Sequence, residues 1–251
     1  MTDSSSNAGP TVVLVHGAFA DAGSWAGVVA RLTEADVPVR AIVNPLRGVA
    51  ADAAYVASAV RQIPGPVVLV GHSYGGAVIT SAAPQAENVA ALVYVCAFAP
   101  DEGETVGGIL ATSKVSLLTS SVVESQYPTG QGSETATEVT IDLAKVHEVF
   151  CADLPQLESD VIARSQRPIA TGAFAEEMTH PGWKDVPVWA VVGTGDKAAG
   201  SDIVRSMAQR AGATITEIDG SHVTMTSQPD ATTEVILTAV KAVSPSVTLP
   251  A

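Results

Sequence analysis

Apolar residues fall along this chain in short continuous runs, separated by longer stretches in which apolar and polar positions mix at helical spacing. Two mixed stretches, Pro38 to Val43 with Arg40 and Thr214 to Ile218 with Glu217, also predict strands; the continuous runs are Thr11-Val12-Val13-Leu14-Val15, Pro66-Val67-Val68-Leu69-Val70, Val89 to Ala97 and Val186 to Val192. Rich in β-branched residues and lacking alternation, they predict strands buried on both faces. Between them, Ser24 to Glu34, Asp52 to Gln62, Ala77 to Ala83, Asp202 to Arg210 and Pro229 to Val243 predict helices. Ser24, Asp52 and Asp202 are the expected N-caps, and Pro84 ends the third helix. Strands alternating with helices predict an α/β fold, with a mostly parallel sheet covered on both faces.

The alternation stops at Pro100 and resumes only at Val186, too long an interval for an ordinary crossover. Val139, Ile141, Leu143, Val146, Val149 and Phe150, then Leu154, Leu157, Val161 and Ile162, read as apolar helix faces. No charged linker marks either end, so the interval is expected to be a helical cap over the sheet's crevice, rather than a separate domain beside it. The expected organisation is a flexible start over 1–10, a core over 11–97 and 186–251, and a helical cap insertion over 98–185. No internal repeat is visible.

Composition narrows the partners. With 47% hydrophobic and 16% charged residues, the chain can bury a large core. Thirteen basic against 26 acidic residues give a formal net charge of −13, which argues against nucleic acid or an anionic membrane surface as partner. Cys96 and Cys151 are too few for a disulfide framework or a cysteine metal site and read as buried free thiols. The polar, Ser-rich start lacks the parts of a signal peptide, and no apolar run reaches membrane-spanning length. The chain reads as soluble and cytoplasmic, and the sequence leaves a homodimer open.

The chemistry is concentrated at Gly71-His72-Ser73-Tyr74-Gly75-Gly76. A G-x-S-x-G between a buried strand and a helix puts the serine on a strained turn, its hydroxyl raised at the sheet edge. The alternative is a glycine-rich connecting turn. A serine hydroxyl needs a base and an orienting group to become a nucleophile. His222, in the loop after the last predicted strand, is positioned to be that base. His16 and His72 are expected to shape the strand-end turns, and His147 and His180 to lie on the surface. Asp196, in Gly193-Thr194-Gly195-Asp196-Lys197 after the next-to-last strand, is the expected acid. Asp219 is the alternative and reads as a turn carboxylate. The backbone N–H groups of Tyr74 and Ala18 are the expected oxyanion donors.

These residues resemble the α/β-hydrolase superfamily, and within it the small esterase branch that includes the plant methylesterases and hydroxynitrile lyases. The similar stretches are residues 16–25 (HGAFADAGSW), 67–76 (VVLVGHSYGG), 191–197 (VVGTGDK) and 220–229 (GSHVTMTSQP). The resemblance implies a Ser73–Asp196–His222 triad, an oxyanion hole at Ala18 and Tyr74, six parallel strands, a helical cap forming an apolar pocket, and no cofactor or metal. The lyases of that branch carry threonine where this chain has Gly17 and lysine where it has Val223. Relatives also carry a bulkier apolar residue and a proline in the region of Ala198-Ala199-Gly200. The expected function is hydrolysis of a small carboxylic ester through an acyl-enzyme. Cofactor-free lysis or perhydrolysis on the same site, or ligand binding by a receptor-like homologue, are the alternatives.

Overall fold

The computed structural model describes residues 9–244. The predicted flexible start falls outside that range except for Gly9 and Pro10, as does the tail from 245. In chain order the chain forms β1 (Thr11–Val15), α1 (Ala26–Glu34), β2 (Val39–Ile42), α2 (Val49–Arg61), β3 (Val67–His72), α3 (Tyr74–Ala82) and β4 (Val89–Val95). Then follow α4 (Val106–Leu110), β5 (Val122–Pro128), β6 (Thr135–Ile141), α5 (Val146–Val149), α6 (Gln156–Arg164) and β7 (Ile169–Ala170). The chain finishes with β8 (Val188–Gly193), α7 (Ser201–Arg210), β9 (Thr214–Ile218), α8 (Thr224–Ser227) and α9 (Pro229–Val243).

Six strands form one parallel sheet in the order β2-β1-β3-β4-β8-β9. The continuous apolar runs are explained by position: every residue of β3 and β8 is buried, as are four of the five in β1. The strand order reverses beside β1, and such a reversal opens a crevice at the strands' carboxyl ends. His16, Ser73, Asp196 and His222 all follow strand ends on that side.

Three predicted caps are placed differently. Asp21, not Ser24, caps the first helical turn: the Gly23 N–H donates to its Oδ1 at 2.7 Å, over a 3₁₀ turn that leads into α1. Asp52 lies inside the first turn of α2, whose N-cap is Gly48, and its carboxylate is buried. Asp202 lies inside α7 and accepts from Ser113 Oγ and the Lys114 N–H, both at 2.7 Å. In each case a tertiary partner, or a better placed local acceptor, takes precedence over the isolated capping preference.

The segment between β4 and β8 is mixed where a helical cap was expected. Its helices α4, α5 and α6 accompany a three-stranded antiparallel sheet, β5-β6-β7. Val139 and Ile141 are two residues apart, and that spacing belongs to the buried face of β6; the helix begins only at Val146. The segment's two ends are joined by the Trp183 indole N–H, which donates to the Pro100 carbonyl at 3.0 Å. It is bonded to the crevice loops: the Phe19 N–H donates to the Arg167 carbonyl at 3.2 Å, the Leu117 N–H to the Lys197 carbonyl at 2.8 Å, and the Ser221 N–H to Asp153 Oδ2 at 3.0 Å. Cys96 and Cys151 are both buried free thiols.

Leu69, fully buried in the middle of β3, has no room to be replaced by solvent. Leu69→Ala is expected to cost about 2–5 kcal/mol. Urea unfolding of the two proteins measures the difference, and a loss under about 1 kcal/mol would mean the sheet centre is not close-packed.

Candidate active site

The serine turn is built by close approach. Ser73 has φ 52° and ψ −125°, a left-handed backbone unusual for a residue with a side chain. Three main-chain bonds hold it: its N–H donates to the Val95 carbonyl at 3.2 Å, and its carbonyl accepts from Gly76 at 2.9 Å and Phe98 at 3.1 Å. Glycines let the neighbouring chain come near. A Cβ on Gly75 would lie 2.6 Å from the Val15 carbonyl oxygen, and one on Gly17 would lie 2.6 Å from Ser73 Cβ. The loop after β1 is therefore pressed directly against the serine turn.

His222 and Asp196 are brought together. The imidazole Nδ1–H donates to Asp196 Oδ2 at 2.8 Å, and both residues are 1% exposed. That bond puts the ring's proton on Nδ1 and leaves Nε2 with a lone pair. The other carboxylate oxygen, Oδ1, accepts from the N–H groups of Ala198 at 2.9 Å, Ala199 at 3.1 Å and Gly200 at 3.4 Å. The small residues that depart from the relatives thus form the cradle of Asp196. Asp219 is not there: it is exposed and, among the described residues, its side chain accepts only from Thr194 Oγ1, at 3.4 Å.

His222 is tied to the serine turn by the residue before the serine. His72 Nε2–H donates to the His222 carbonyl at 3.0 Å, and the two rings lie 4.7 Å apart. Ser73 Oγ and the His222 ring do not form a hydrogen bond in this arrangement; such contacts commonly tighten only when substrate binds. Among the described residues, neither the Ala18 nor the Tyr74 backbone N–H has a protein acceptor. Both face the requirement of an oxyanion site, which needs donors not already engaged.

His16 and His72 are built as neutral groups. His16 Nδ1–H donates to the Gly17 carbonyl at 2.9 Å while Nε2 accepts from the Asn44 N–H at 2.9 Å, so both ring nitrogens are engaged. Burial pulls its pKa down to about 4. Burial, then the neighbouring His222, pulls His72 well below the ordinary histidine value. His180 pairs with Asp185 at the surface, and His147 bonds Ser159 Oγ at 2.8 Å in the inserted segment.

Sequence reasoning did not anticipate Phe150, which was read as part of a helix face. Its ring lies 5.1 Å from His222, 6.2 Å from His72 and 6.3 Å from Phe19. Phe19, Phe150, Val161, Ile162, Val223 and Met225, together with the polar Asp21, Ser24, Ser165 and Thr226, line a mainly apolar pocket of about 250 Å³. It adjoins His222 through Phe150 and Val223 and includes none of the predicted site residues in its lining. Only spatial proximity reveals this; no sequence spacing links Phe19 to Phe150. A larger groove, about 490 Å³, runs between α4 and α7, and no residue of its lining adjoins His222 in sequence or by ring contact.

Residues 12–235 match the Alpha/beta hydrolase family. The chain belongs to that family. Among curated proteins none matches it in sequence. Its fold is similar to polyneuridine aldehyde esterase, at 18% identity over 92% of this chain and 98% of that one, with a TM-score of 0.77. It is also similar to a methylesterase from Arabidopsis, at 18% identity over 93% and 100% of the two chains, with a TM-score of 0.75. An extracellular α/β-hydrolase from a Paenibacillus species matches at 20% identity over 92% and 98%, with a TM-score of 0.72. Among the described residues no helix is long and apolar enough to cross a membrane.

Two outcomes follow. Asp196→Asn is expected to lower kcat by roughly 10³-fold or more, by leaving the imidazole in the wrong tautomer, while Asp219→Asn changes it by about twofold at most. Steady-state kinetics on a nitrophenyl ester checks the ranking, and the reverse order would move the acid to Asp219. The second outcome concerns His16, which takes up its proton near pH 4 folded but near 6.5 unfolded. Above pH 6.5 both states are neutral; as pH falls toward 4 the unfolded chain gains a proton that the folded chain refuses. Stability should therefore fall across that window, by about 3 kcal/mol from this residue. Urea unfolding at pH 7 and pH 4.5 measures it, and equal stability at both would contradict a neutral buried His16.

Proposed function

We propose that this chain is a serine hydrolase that cleaves a small carboxylic ester through an acyl-enzyme. The observation that carries the reading is the buried Nδ1–H bond from His222 to Asp196, set beside a strained serine turn flanked by two unengaged N–H groups. Ser73 attacks the ester carbonyl as His222 Nε2 takes its proton, and Asp196 holds the resulting imidazolium. The tetrahedral oxyanion receives the Ala18 and Tyr74 N–H groups, and collapse of the intermediate releases the alcohol as His222 returns the proton. Water, deprotonated by the same imidazole, then hydrolyses the acyl-serine. The esterases among the similar structures support an ester substrate, and the mainly apolar pocket at Phe19, Phe150 and Val223, with the Asp21 carboxylate at its lining, supports a compact group that is not anionic.

Val223 argues against the lyase alternative. It is 2% exposed and follows the base, where a lyase needs a cation to receive its leaving anion. Gly17 supplies no hydroxyl, and a side chain there would strike Ser73 Cβ.

Ser73→Ala is expected to abolish hydrolysis of nitrophenyl and methyl esters of graded size while the melting transition stays near that of the parent protein. The parent protein should release no cyanide from aromatic cyanohydrins. Retained ester turnover in the alanine variant would sink the serine mechanism, and cyanide release would promote the lyase.

A further inference from the structure

Asp52 is a fully buried carboxylate that no step of the proposed hydrolysis uses. Its two oxygens share the Arg47 N–H, each at 3.2 Å, and Oδ2 also accepts the Tyr74 phenol at 2.9 Å. Burial pushes its pKa above the ordinary carboxylate value, with Arg47 and Tyr74 offsetting part of that cost. A carboxyl group in the core of a fold is unfavourable unless its partners are well arranged. The side chain it engages belongs to the residue directly after the nucleophile.

Tyr74 has a particular difficulty. Its N–H is reserved for substrate, so no protein acceptor fixes its direction; the direction must come from its neighbours. On one side, Ser73 is held by its three main-chain bonds. On the other, Tyr74 is 1% exposed, its ring lies 6.4 Å from that of Phe174, and its hydroxyl ends on Asp52. The second donor is held in the same manner, since Ala18 stands between Gly17, whose carbonyl accepts from His16, and Phe19, whose N–H donates to Arg167.

We infer that Asp52 is a positioning residue: through the Tyr74 phenol it fixes the residue whose N–H receives the oxyanion. The inference rests on the ester-hydrolase reading above. The bond aims a donor that matters mainly once the carbonyl oxygen becomes anionic, so its loss acts on kcat more than on KM.

The test is a cycle of Tyr74→Phe, Asp52→Ala and the double variant, with Asp52→Asn as the conservative change. Active sites are counted by the burst of nitrophenol from a slowly deacylating ester, so that misfolded protein is not scored. Per active site, Tyr74→Phe should lower kcat about tenfold with KM within about twofold, and weaken an aryl trifluoromethyl ketone inhibitor by a similar factor. Asp52→Ala should match it, and the double variant should be no worse than either single one. Asp52→Asn, which retains an acceptor for the phenol, should recover most of the activity. If Tyr74→Phe or Asp52→Asn lowers the melting temperature but leaves kcat per site and inhibitor affinity unchanged in Tyr74→Phe, the bond is structural and the inference fails. Should Asp52→Ala not fold, Tyr74→Phe and Asp52→Asn decide alone. Absence of both a burst and steady nitrophenol release from the parent protein defeats the ester-hydrolase reading itself, whereas normal parent activity with an unaffected Tyr74→Phe defeats only this inference.

Discussion

The left-handed backbone of Ser73, held between a buried strand and a buried helix, is the constraint on which the neighbouring structure depends. A non-glycine residue in that conformation costs on the order of 1–3 kcal/mol and persists only where its surroundings over-determine it. Here they do. Two carbonyl bonds and one N–H bond fix Ser73 itself, and the loop after β1 approaches so closely that Gly17 and Gly75 have no room for a side chain. The same close approach sets Gly17, and with it the neighbouring Ala18, directly against Ser73.

Polar groups around the serine divide into those that are satisfied and those that are left free. His16 has both nitrogens engaged, Asp196 has four donors on its two oxygens, and Asp52 has the Tyr74 phenol and a backbone N–H. The groups without a partner among the described residues include the Ala18 and Tyr74 N–H groups, the Nε2 lone pair of His222 and the buried Nδ1 of His72. Buried groups are ordinarily paired, so unengaged donors beside a strained serine mark where a reacting atom is to sit. The inserted segment contributes Phe150, which packs on the base and lines the adjoining apolar pocket.

The parallel sheet was legible because strands buried on both faces leave continuous β-branched runs; the edge strand Thr214–Ile218, in which only Ile218 is buried, and the helix Pro229–Val243 were placed to the residue without such a run. Ser73 was legible because its strain demands glycines at fixed spacing. Asp196 could be chosen over Asp219 by position and resemblance, but the reason it is held so firmly was hidden. The amides of Ala198, Ala199 and Gly200 act through backbone geometry, which side-chain identity does not report. The inserted segment misled for a different cause: Val139 and Ile141 belong to a strand, yet continue without a break into the helical spacing of Val146 to Phe150. Asp52 was read as a cap because the sequence shows its neighbours on α2 and not Tyr74, which reaches it across the fold.

The central claim is that Ser73 is a nucleophile activated by His222. Treating the protein with a fluorophosphonate and mapping the adduct by peptide mass spectrometry tests it without knowledge of the substrate. One adduct per chain on Ser73 is predicted, forming much more slowly in His222→Ala. An adduct on another residue, or labelling of Ser73 at an unchanged rate without His222, would contradict it.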